Sequence, residues 1–147
     1  PIAFREFLKV MIMDIRDVDL DTIWKIRQEV MYPTEELSYV QLPEDASGKH
    51  LGLYIDGKLV SIVSVFEQGD ILQFRKFATL VSEQGKGYGS RLLQYVMDHG
   101  AAGKRSLIWC NARVSASGFY EKFGMYTTGD SWWTKDIEFV KMEKQFN

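Results

Sequence analysis

The stretch FATLVSEQGKGYGSRLL, residues 77–93, decides how the chain is interpreted. Its first residues have the β-prone character of a strand, and its last residues begin an apolar helical stripe that continues through Val96 and Met97. Glycines between the two elements let the backbone turn sharply, so that unpaired amide groups at a helix start face one concavity. The pattern therefore predicts a site for a phosphate-bearing ligand. A glycine-rich turn with no ligand is the alternative, which the glycines alone do not exclude.

The segments before this turn predict a strand, an amphipathic helix and three antiparallel strands. Two of these strands are joined by Asp56-Gly57, a strong short-range signal for a hairpin. The helix ends before Pro33, which cannot continue it, and Asp19 or Asp21 is expected to cap its start. The predicted ranges are 4–10 for the first strand, 20–31 for the helix, 34–49 for a polar loop with at most one helical turn, and 50–55, 58–66 and 71–80 for the three strands.

The segments after the turn predict a helix, a strand, a short helix and two further strands. Gly100 and Gly103 are expected to end the first helix. Ser115 or Ser117 is expected to cap the short helix, which Gly124 ends. The predicted ranges are 107–111 for the strand, 118–123 for the short helix, and 125–128 and 135–143 for the last strands.

The composition of the whole chain limits the class of protein. Of its 147 residues, 46% are apolar, which is enough for one core, and no linker or repeat divides them. We therefore expect residues 1–147 to form a single domain. The net charge of −2 argues against nucleic-acid binding, and no apolar run approaches the ~20 residues that cross a bilayer. One cysteine and two histidines exclude an internal disulfide and give no zinc spacing. The expectation is a soluble, cytoplasmic protein without a metal or a membrane partner.

Two well-known phosphate-binding motifs fail on spacing. A Walker loop needs a lysine followed by serine or threonine, whereas Lys86 is flanked by glycines. A dinucleotide fingerprint would need a small residue at Leu92, and no acidic residue ends a following strand.

Two motifs in the right order resemble those of the GNAT N-acetyltransferases. Residues 77–93 resemble motif A of that superfamily, Gln/Arg-x-x-Gly-x-Gly/Ala before a helix, with Gln84 in the first position. Asn111 followed by FYEKFG at 119–124 resembles motif B, and LIWCNAR at 107–113 is similar to one subgroup. The resemblance extends from about residue 20 to the end of the chain. The fold expected with it is α/β (α+β), with a mixed, mostly antiparallel sheet of about seven strands, splayed near its middle, and helices on both faces.

The resemblance also implies how acetyl-CoA binds as a co-substrate, without a metal. The backbone of residues 77–79 would pair with the pantetheine arm, and the amides of residues 84–90 would hold the pyrophosphate. The acetyl thioester would lie where the sheet splays, between residues 77–79 and 107–111. The residues so assigned to acetyl-CoA are Phe77, Ala78, Thr79, Gln84, Gly85, Lys86, Gly87, Tyr88, Gly89, Ser90 and Asn111. For Asn111, a role as an ordinary turn former stays equally open.

Tyr120 is the one residue to which the resemblance assigns a catalytic step. Its phenol, with an ordinary pKa of ~10, can protonate the departing coenzyme thiolate. An aromatic that only fills the space between helix and sheet is the alternative. Cys110 is expected to be a small buried residue and not a nucleophile, because no histidine lies near it in sequence. Of the adjacent Trp132 and Trp133, at most one can line a pocket, and the other is expected in the core or a lid.

A general base is missing from the strand that carries a glutamate in many relatives. That strand reads LQFRK at 72–76 and has no carboxylate. The remaining candidates are Glu36, Glu67, Asp70 and His50, or water, with His50 expected at a strand edge instead. The predicted function is direct acetyl transfer from acetyl-CoA to a primary amine of a small molecule or peptide, and a homodimer stays open. The alternatives are a non-catalytic acyl-CoA-binding sensor, which the missing base favours, and a nucleotide-binding regulatory module.

Overall fold

A computed structural model describes residues 11–146, whose alternating strands and helices match the predicted periodicities. The strands are β1 (Met13–Asp17), β2 (Lys49–Ile55), β3 (Lys58–Gln68), β4 (Ile71–Thr79), β5 (Leu107–Arg113), β6 (Tyr126–Thr134) and β7 (Ile137–Gln145). The helices are α1 (Leu20–Met31), α2 (Tyr88–Ala102) and α3 (Ser117–Glu121). No helix among these residues is long and apolar enough to cross a membrane.

The strands form one sheet in the order β1-β2-β3-β4-β5-β7-β6. β1 to β4 pair antiparallel in chain order, as do β5 with β7 and β7 with β6. Only β4 and β5 are parallel among the described strands, because the chain returns through α2 between them. The predicted mixed, mostly antiparallel sheet of seven strands is therefore confirmed.

Two hydrophobic clusters cover the two faces of the sheet. The larger lies beneath α2 and α3 and includes Leu92, Leu93, Val96 and Met97 from α2. The smaller lies beneath α1 and includes Ile23 and Ile26 of α1 with Ile62 and Ala78 of the sheet. Helices on both faces are thus confirmed, and α1 and α2 each bury residues of the stripe that predicted them.

A buried polar network fixes α1 to the sheet. Arg27 is fully buried, and its guanidinium donates to both carboxylate oxygens of Asp45, at 2.8 and 2.9 Å, and to Ser64 Oγ at 2.8 Å. The Trp24 indole donates to the same carboxylate at 2.9 Å. Burial raises the pKa of the Asp45 carboxyl, but hydrogen bonds from Arg27, a backbone amide and Trp24 outweigh burial and hold the pKa at about 2. The network therefore holds a charged pair in the folded state.

Histidine 50 belongs to this network and is not at a strand edge. His50 lies on β2, between β1 and β3, and is buried. Its Nδ1 is 2.7 Å from Ser64 Oγ and its Nε2 is 2.9 Å from the Asp45 carbonyl. Because that carbonyl can only accept, Nε2 is the donor of this second bond. Both ring nitrogens are therefore hydrogen-bonded within the network. The edge position predicted for His50 was wrong, because β2 is an internal strand of the sheet and the side chain is buried.

Several predicted boundaries shift in the structure. The run at 4–10 lies outside the described residues, whereas β1 was not predicted, because it is a short, largely exposed edge strand in which only Met13 and Ile15 alternate with charged residues. Loop 34–49 contains two 3-10 turns, at Leu37–Val40 and Pro43–Ser47, where at most one turn was expected. That residues 1–147 form one domain stays a prediction.

Capping differs between the helices. Asp19 caps α1 by accepting from the Thr22 amide at 3.1 Å, which settles the choice between the two aspartates. The serines predicted to cap α3 do not, because α3 begins after Ala116 and the Ser117 hydroxyl instead donates to the Val114 carbonyl at 2.8 Å. α2 continues through Gly100 and ends at Ala102, so only the second of the two predicted glycines lies at its end.

Candidate active site

The sheet opens between its two parallel strands. β4 and β5 pair at only three positions, and the last pair is Gln73 with Trp109. Beyond it the strands diverge, and a cavity of about 600 Å³ lies between residues 74–79 of β4 and residues 110–113 of β5. The predicted splay near the middle of the sheet is therefore present in the structure.

A β-bulge next to the opening changes which face of the sheet the later side chains of β4 lie on. Ser64 of β3 pairs with Arg75, whereas Ile62 pairs with Ala78, so β4 contains one extra residue at this place. Lys76 has φ of +55°, in the left-handed region. Because of the extra residue, Phe74 and Ala78 lie in the clusters on opposite faces, although residues four apart in a regular strand share a face.

The glycine-rich loop forms one end of the cavity. Gly85 and Gly87 have φ of +79° and +83°, and a Cβ on either would meet nothing within 4 Å. The backbone amides of residues 85–90 donate to no acceptor among residues 11–146. These groups lie at the start of α2, where the helix dipole adds positive potential. The loop is thus suited to an anion, and an added side chain would fill open space that a ligand could occupy.

The residues predicted to contact acetyl-CoA divide into two sets. Those that line the cavity are Phe77, Thr79, Gln84, Gly85, Gly87, Tyr88, Gly89, Ser90 and Asn111. Ala78 is buried in the cluster beneath α1, so only its backbone could contribute. The Lys86 ammonium is directed to the Glu83 carboxylate at 3.0 Å and does not line the cavity. Asn111 is a paired residue within β5, which excludes the turn-former alternative.

Tyr120 projects from α3 into the wall of the same cavity. Its ring lies 5.8 Å from that of Phe74 and 5.3 Å from that of Phe119, measured between centroids. In the part of the chain that is described, no group hydrogen-bonds the Tyr120 hydroxyl. Burial, and then the nearby Cys110, raise the pKa of the phenol, which Arg113 lowers to a lesser degree. The hydroxyl is therefore a protonated, unpartnered donor at neutral pH.

Cys110 lies on β5 at the floor of this cavity. Its side chain is only 3% exposed, and burial raises the pKa of its thiol to about 12. A thiol rather than the nucleophilic thiolate is therefore present at neutral pH, in agreement with its prediction as a small buried residue.

None of the predicted base candidates lies at the opening. Glu36 is exposed on the loop after α1, and Glu67 pairs with Arg105 at 2.7 Å on a different cavity. Asp70 lies in the turn before β4, and His50 is committed to its buried network. Glu83 does line the cavity, at the loop end. Hydrogen bonds from Lys86 and Lys58 lower the pKa of its carboxyl, so it is a poor proton acceptor.

A second cavity of about 400 Å³ adjoins the first on the side away from the glycine loop. The residues that line both cavities are Met31, Phe74, Arg75, Lys76, Asn111, Arg113 and Phe139. Trp132 lines this second cavity, whereas Trp133 is 65% exposed and belongs to neither core nor cavity. The sequence did not lead us to predict that cationic side chains line this second cavity. Arg75 and Lys76 nevertheless lie in the strand segment 72–76 that lacks the family's glutamate.

A sheet that opens between two parallel strands, with a glycine-rich helix start beside the opening, is the arrangement that the GNAT resemblance implies for an acyl-CoA-dependent acyltransferase. The chain matches the family model of the acetyltransferase (GNAT) domain over residues 21–146. It therefore belongs to the GNAT acetyltransferase family, as the resemblance predicted.

Individual relatives agree with this assignment. The chain is 28% identical over 127 residues to the uncharacterized N-acetyltransferase YitI of Bacillus subtilis, covering 80% of this chain and 85% of that protein. The fold matches the ribosomal-protein-S18-alanine N-acetyltransferase of Escherichia coli with a TM-score of 0.76 at 15% identity, covering 92% and 94% of the two chains. It also matches a GNAT family acetyltransferase of Elizabethkingia anophelis with acetyl-CoA bound, with a TM-score of 0.70 at 14% identity and coverage of 91% and 98%. The chain is thus an enzyme of the acyltransferase class, and nothing in these relatives supports the alternative of a non-catalytic sensor.

Proposed function

We propose that this enzyme transfers the acetyl group of acetyl-CoA directly to a primary amine. The observation that carries the proposal is the opening between β4 and β5, with the free amides of residues 85–90 at one end and the Tyr120 hydroxyl in its wall. The amides would hold the pyrophosphate, and the unpaired edge of residues 77–79 would bind the pantetheine arm. This arrangement would leave the thioester between Tyr120 and the second cavity.

The chemistry makes one carbon–nitrogen bond, breaks one carbon–sulfur bond and moves four protons: two leave the nitrogen, one passes from Tyr120 to sulfur, and one returns to Tyr120 from solvent. An acceptor ammonium first loses a proton to water, and the neutral amine attacks the thioester carbonyl. As the tetrahedral intermediate collapses, the carbon–sulfur bond breaks, Tyr120 gives its proton to the thiolate, and the nitrogen loses its second proton to water. Solvent then reprotonates Tyr120. The products are an acetamide and free coenzyme A.

Water carries the protons from nitrogen in this proposal, since neither cavity offers an unpaired carboxylate among the described residues.

The proposal is tested by steady-state release of coenzyme thiol from acetyl-CoA, with a panel of primary amines and with EDTA present. We expect release that depends on the amine and is unaffected by EDTA. Binding of acetyl-CoA without release for any amine would contradict the proposed function.

No group of three metal-ligating side chains is found among residues 11–146. A cytoplasmic location and the absence of nucleic-acid or membrane partners stay predictions.

A further inference from the structure

The second cavity has an unbalanced charge. Its lining includes Arg75, Lys76 and Arg113 but no carboxylate from any described residue. Arg75 is neutralised by an ion pair with Glu44. The guanidinium of Arg113, an exposed residue, makes no ion pair or hydrogen bond within residues 11–146. The Lys76 ammonium meets only Tyr32, 3.3 Å from its hydroxyl and 5.0 Å from its ring centroid. Two cations that line one cavity therefore lack an anionic partner.

These cations come from the two strands that separate. Lys76 is the residue of positive φ in the β4 bulge, and Arg113 is the last residue of β5. Their strands no longer pair at this level, so the two side chains flank the opening from opposite walls. A cationic pair across an opening stabilises an anion placed between them, whereas in its absence the two charges repel each other.

The rest of the cavity wall is aromatic and partly exposed. Tyr39 is 45% exposed and Trp132 is 38% exposed. The Tyr32 and Tyr39 rings are in edge contact with centroids 5.0 Å apart, and Trp132 stacks on Phe139 at 6.1 Å. The Lys135 ammonium lies over the Tyr39 ring, 5.0 Å from its centroid, so the aromatic surface that stays accessible is the exposed part of Tyr39 and of Trp132. Exposed aromatic surface around a concavity is typical of a site for a flat or apolar group.

From this arrangement we infer that the acceptor is a small amine that also carries an anionic group and a flat apolar group. The anion, a carboxylate or a phosphate, lies between Lys76 and Arg113, and the apolar group packs against Tyr39 and Trp132. This inference rests on the proposed function for the amine itself. It excludes polyamines as preferred acceptors, because they would bring only positive charge to a cationic wall.

Equilibrium binding tests the inference without any need for turnover. The probes are the acetamide products of matched amines, N-acetylphenylalanine and N-phenethylacetamide, titrated calorimetrically into the enzyme saturated with coenzyme A. We expect the carboxylate to tighten binding about tenfold, or ~1.4 kcal/mol, and the advantage to shrink as salt is raised. Equal affinity of the two probes would overturn the inference.

Two variants locate the effect. Lys76→Gln and Arg113→Gln are each expected to remove most of the carboxylate advantage, while binding of the uncharged probe changes less than twofold. Lys25→Gln and Arg16→Gln delete the same charges outside both cavities and should leave the advantage intact. If both cavity variants keep the full advantage, the anion is not recognised by these residues. Since the comparison of probes on the parent enzyme needs no variant, a variant that fails to fold leaves the test intact.

Turnover with matched acceptors separates this inference from the proposed function. The acceptor pairs are phenylalanine with phenethylamine and O-phosphotyramine with tyramine, compared by kcat/KM. A preference within one pair identifies the anion as carboxylate or phosphate. Turnover that is equal or faster with the uncharged members would overturn the inference alone, whereas no thiol release with any amine would overturn the proposed function.

Discussion

Replacing Tyr120 by phenylalanine removes one hydroxyl and leaves the ring in place. Because this hydroxyl meets no hydrogen-bond partner in the described structure, its removal should change the free energy of unfolding by less than ~0.5 kcal/mol. The midpoint of thermal unfolding should therefore move by no more than about 2 °C. The affinity for acetyl-CoA should also stay the same, since the pyrophosphate and pantetheine contacts lie elsewhere.

The catalytic rate should respond very differently. Loss of a general acid lowers kcat by about 100- to 10,000-fold, or ~2.7–5.4 kcal/mol in the activation free energy. Coenzyme thiolate is a good leaving group, so a result near the lower end is expected. Burial raises the pKa of the Tyr120 phenol above its usual value, so the donor stays protonated well above neutral pH. The decrease in kcat should therefore be uniform from about pH 6 to 9, without an alkaline decline from ionisation of Tyr120.

The assay is thiol release at saturating acetyl-CoA and amine, with the thermal midpoint and the acetyl-CoA affinity measured on the same preparations. Tyr126→Phe is the matched control, because Tyr126 is an exposed tyrosine on β6 outside both cavities. It should keep the parental kcat. A folded Tyr120→Phe enzyme that binds acetyl-CoA and turns over at the parental rate would refute the assigned role.

Three further predictions concern the loop, the cysteine and the buried pair. Gly87→Ala and Gly57→Ala each place a Cβ in open space at nearly equal φ, +83° and +84°, so calorimetry should show similar losses of stability of ~1–2 kcal/mol for the two variants. Only Gly87→Ala should also weaken acetyl-CoA binding, by at least tenfold. Equal affinities of the two variants for acetyl-CoA would show that the loop is not part of the binding site. Cys110→Ala should keep kcat within about threefold, and mass spectrometry of the parent enzyme should find no acetyl adduct, since burial keeps the thiol protonated. An acetyl adduct on the parent enzyme would show that Cys110 is a nucleophile. Asp45→Asn leaves a buried guanidinium without its charge partner and should lower the unfolding free energy by ~3–5 kcal/mol, while exposed Asp136→Asn changes it little. Because the pKa of Asp45 is lower in the folded state, its stabilisation is full above about pH 4 and is lost as the pH falls towards 2, which acid unfolding curves of parent and variant should show.

Features that depend only on residues close together in the sequence could be predicted. Glycine spacing and a helical stripe are local, so the loop before α2 and the amphipathic α1 and α2 were found from the residues themselves. The family resemblance added the splay of the sheet, which depends on where β4 and β5 stop pairing and leaves no local mark. Strand β1 was not predicted because it is short and largely exposed, with only Met13 and Ile15 alternating with charged residues.

Features that depend on distant residues were not predictable. Arg27 and Asp45 are 18 positions apart and form a pair only because the 3-10 turn at Pro43–Ser47 folds back beside α1. Lys76 and Arg113 lie on different strands, and a one-residue bulge decides which face of β4 the first of them takes. The charge of the second cavity therefore follows from tertiary structure alone.

The central claim is that the acetyl group moves from acetyl-CoA to an amine nitrogen, and a stoichiometric measurement tests it most directly. The enzyme is supplied with acetyl-CoA labelled with carbon-13 in the acetyl group and with the best amine of the panel, and thiol release and the labelled amide are quantified together. We predict one labelled acetamide for each coenzyme A released. Release of coenzyme A without labelled amide, or bound acetyl-CoA that is never consumed, would contradict the claim.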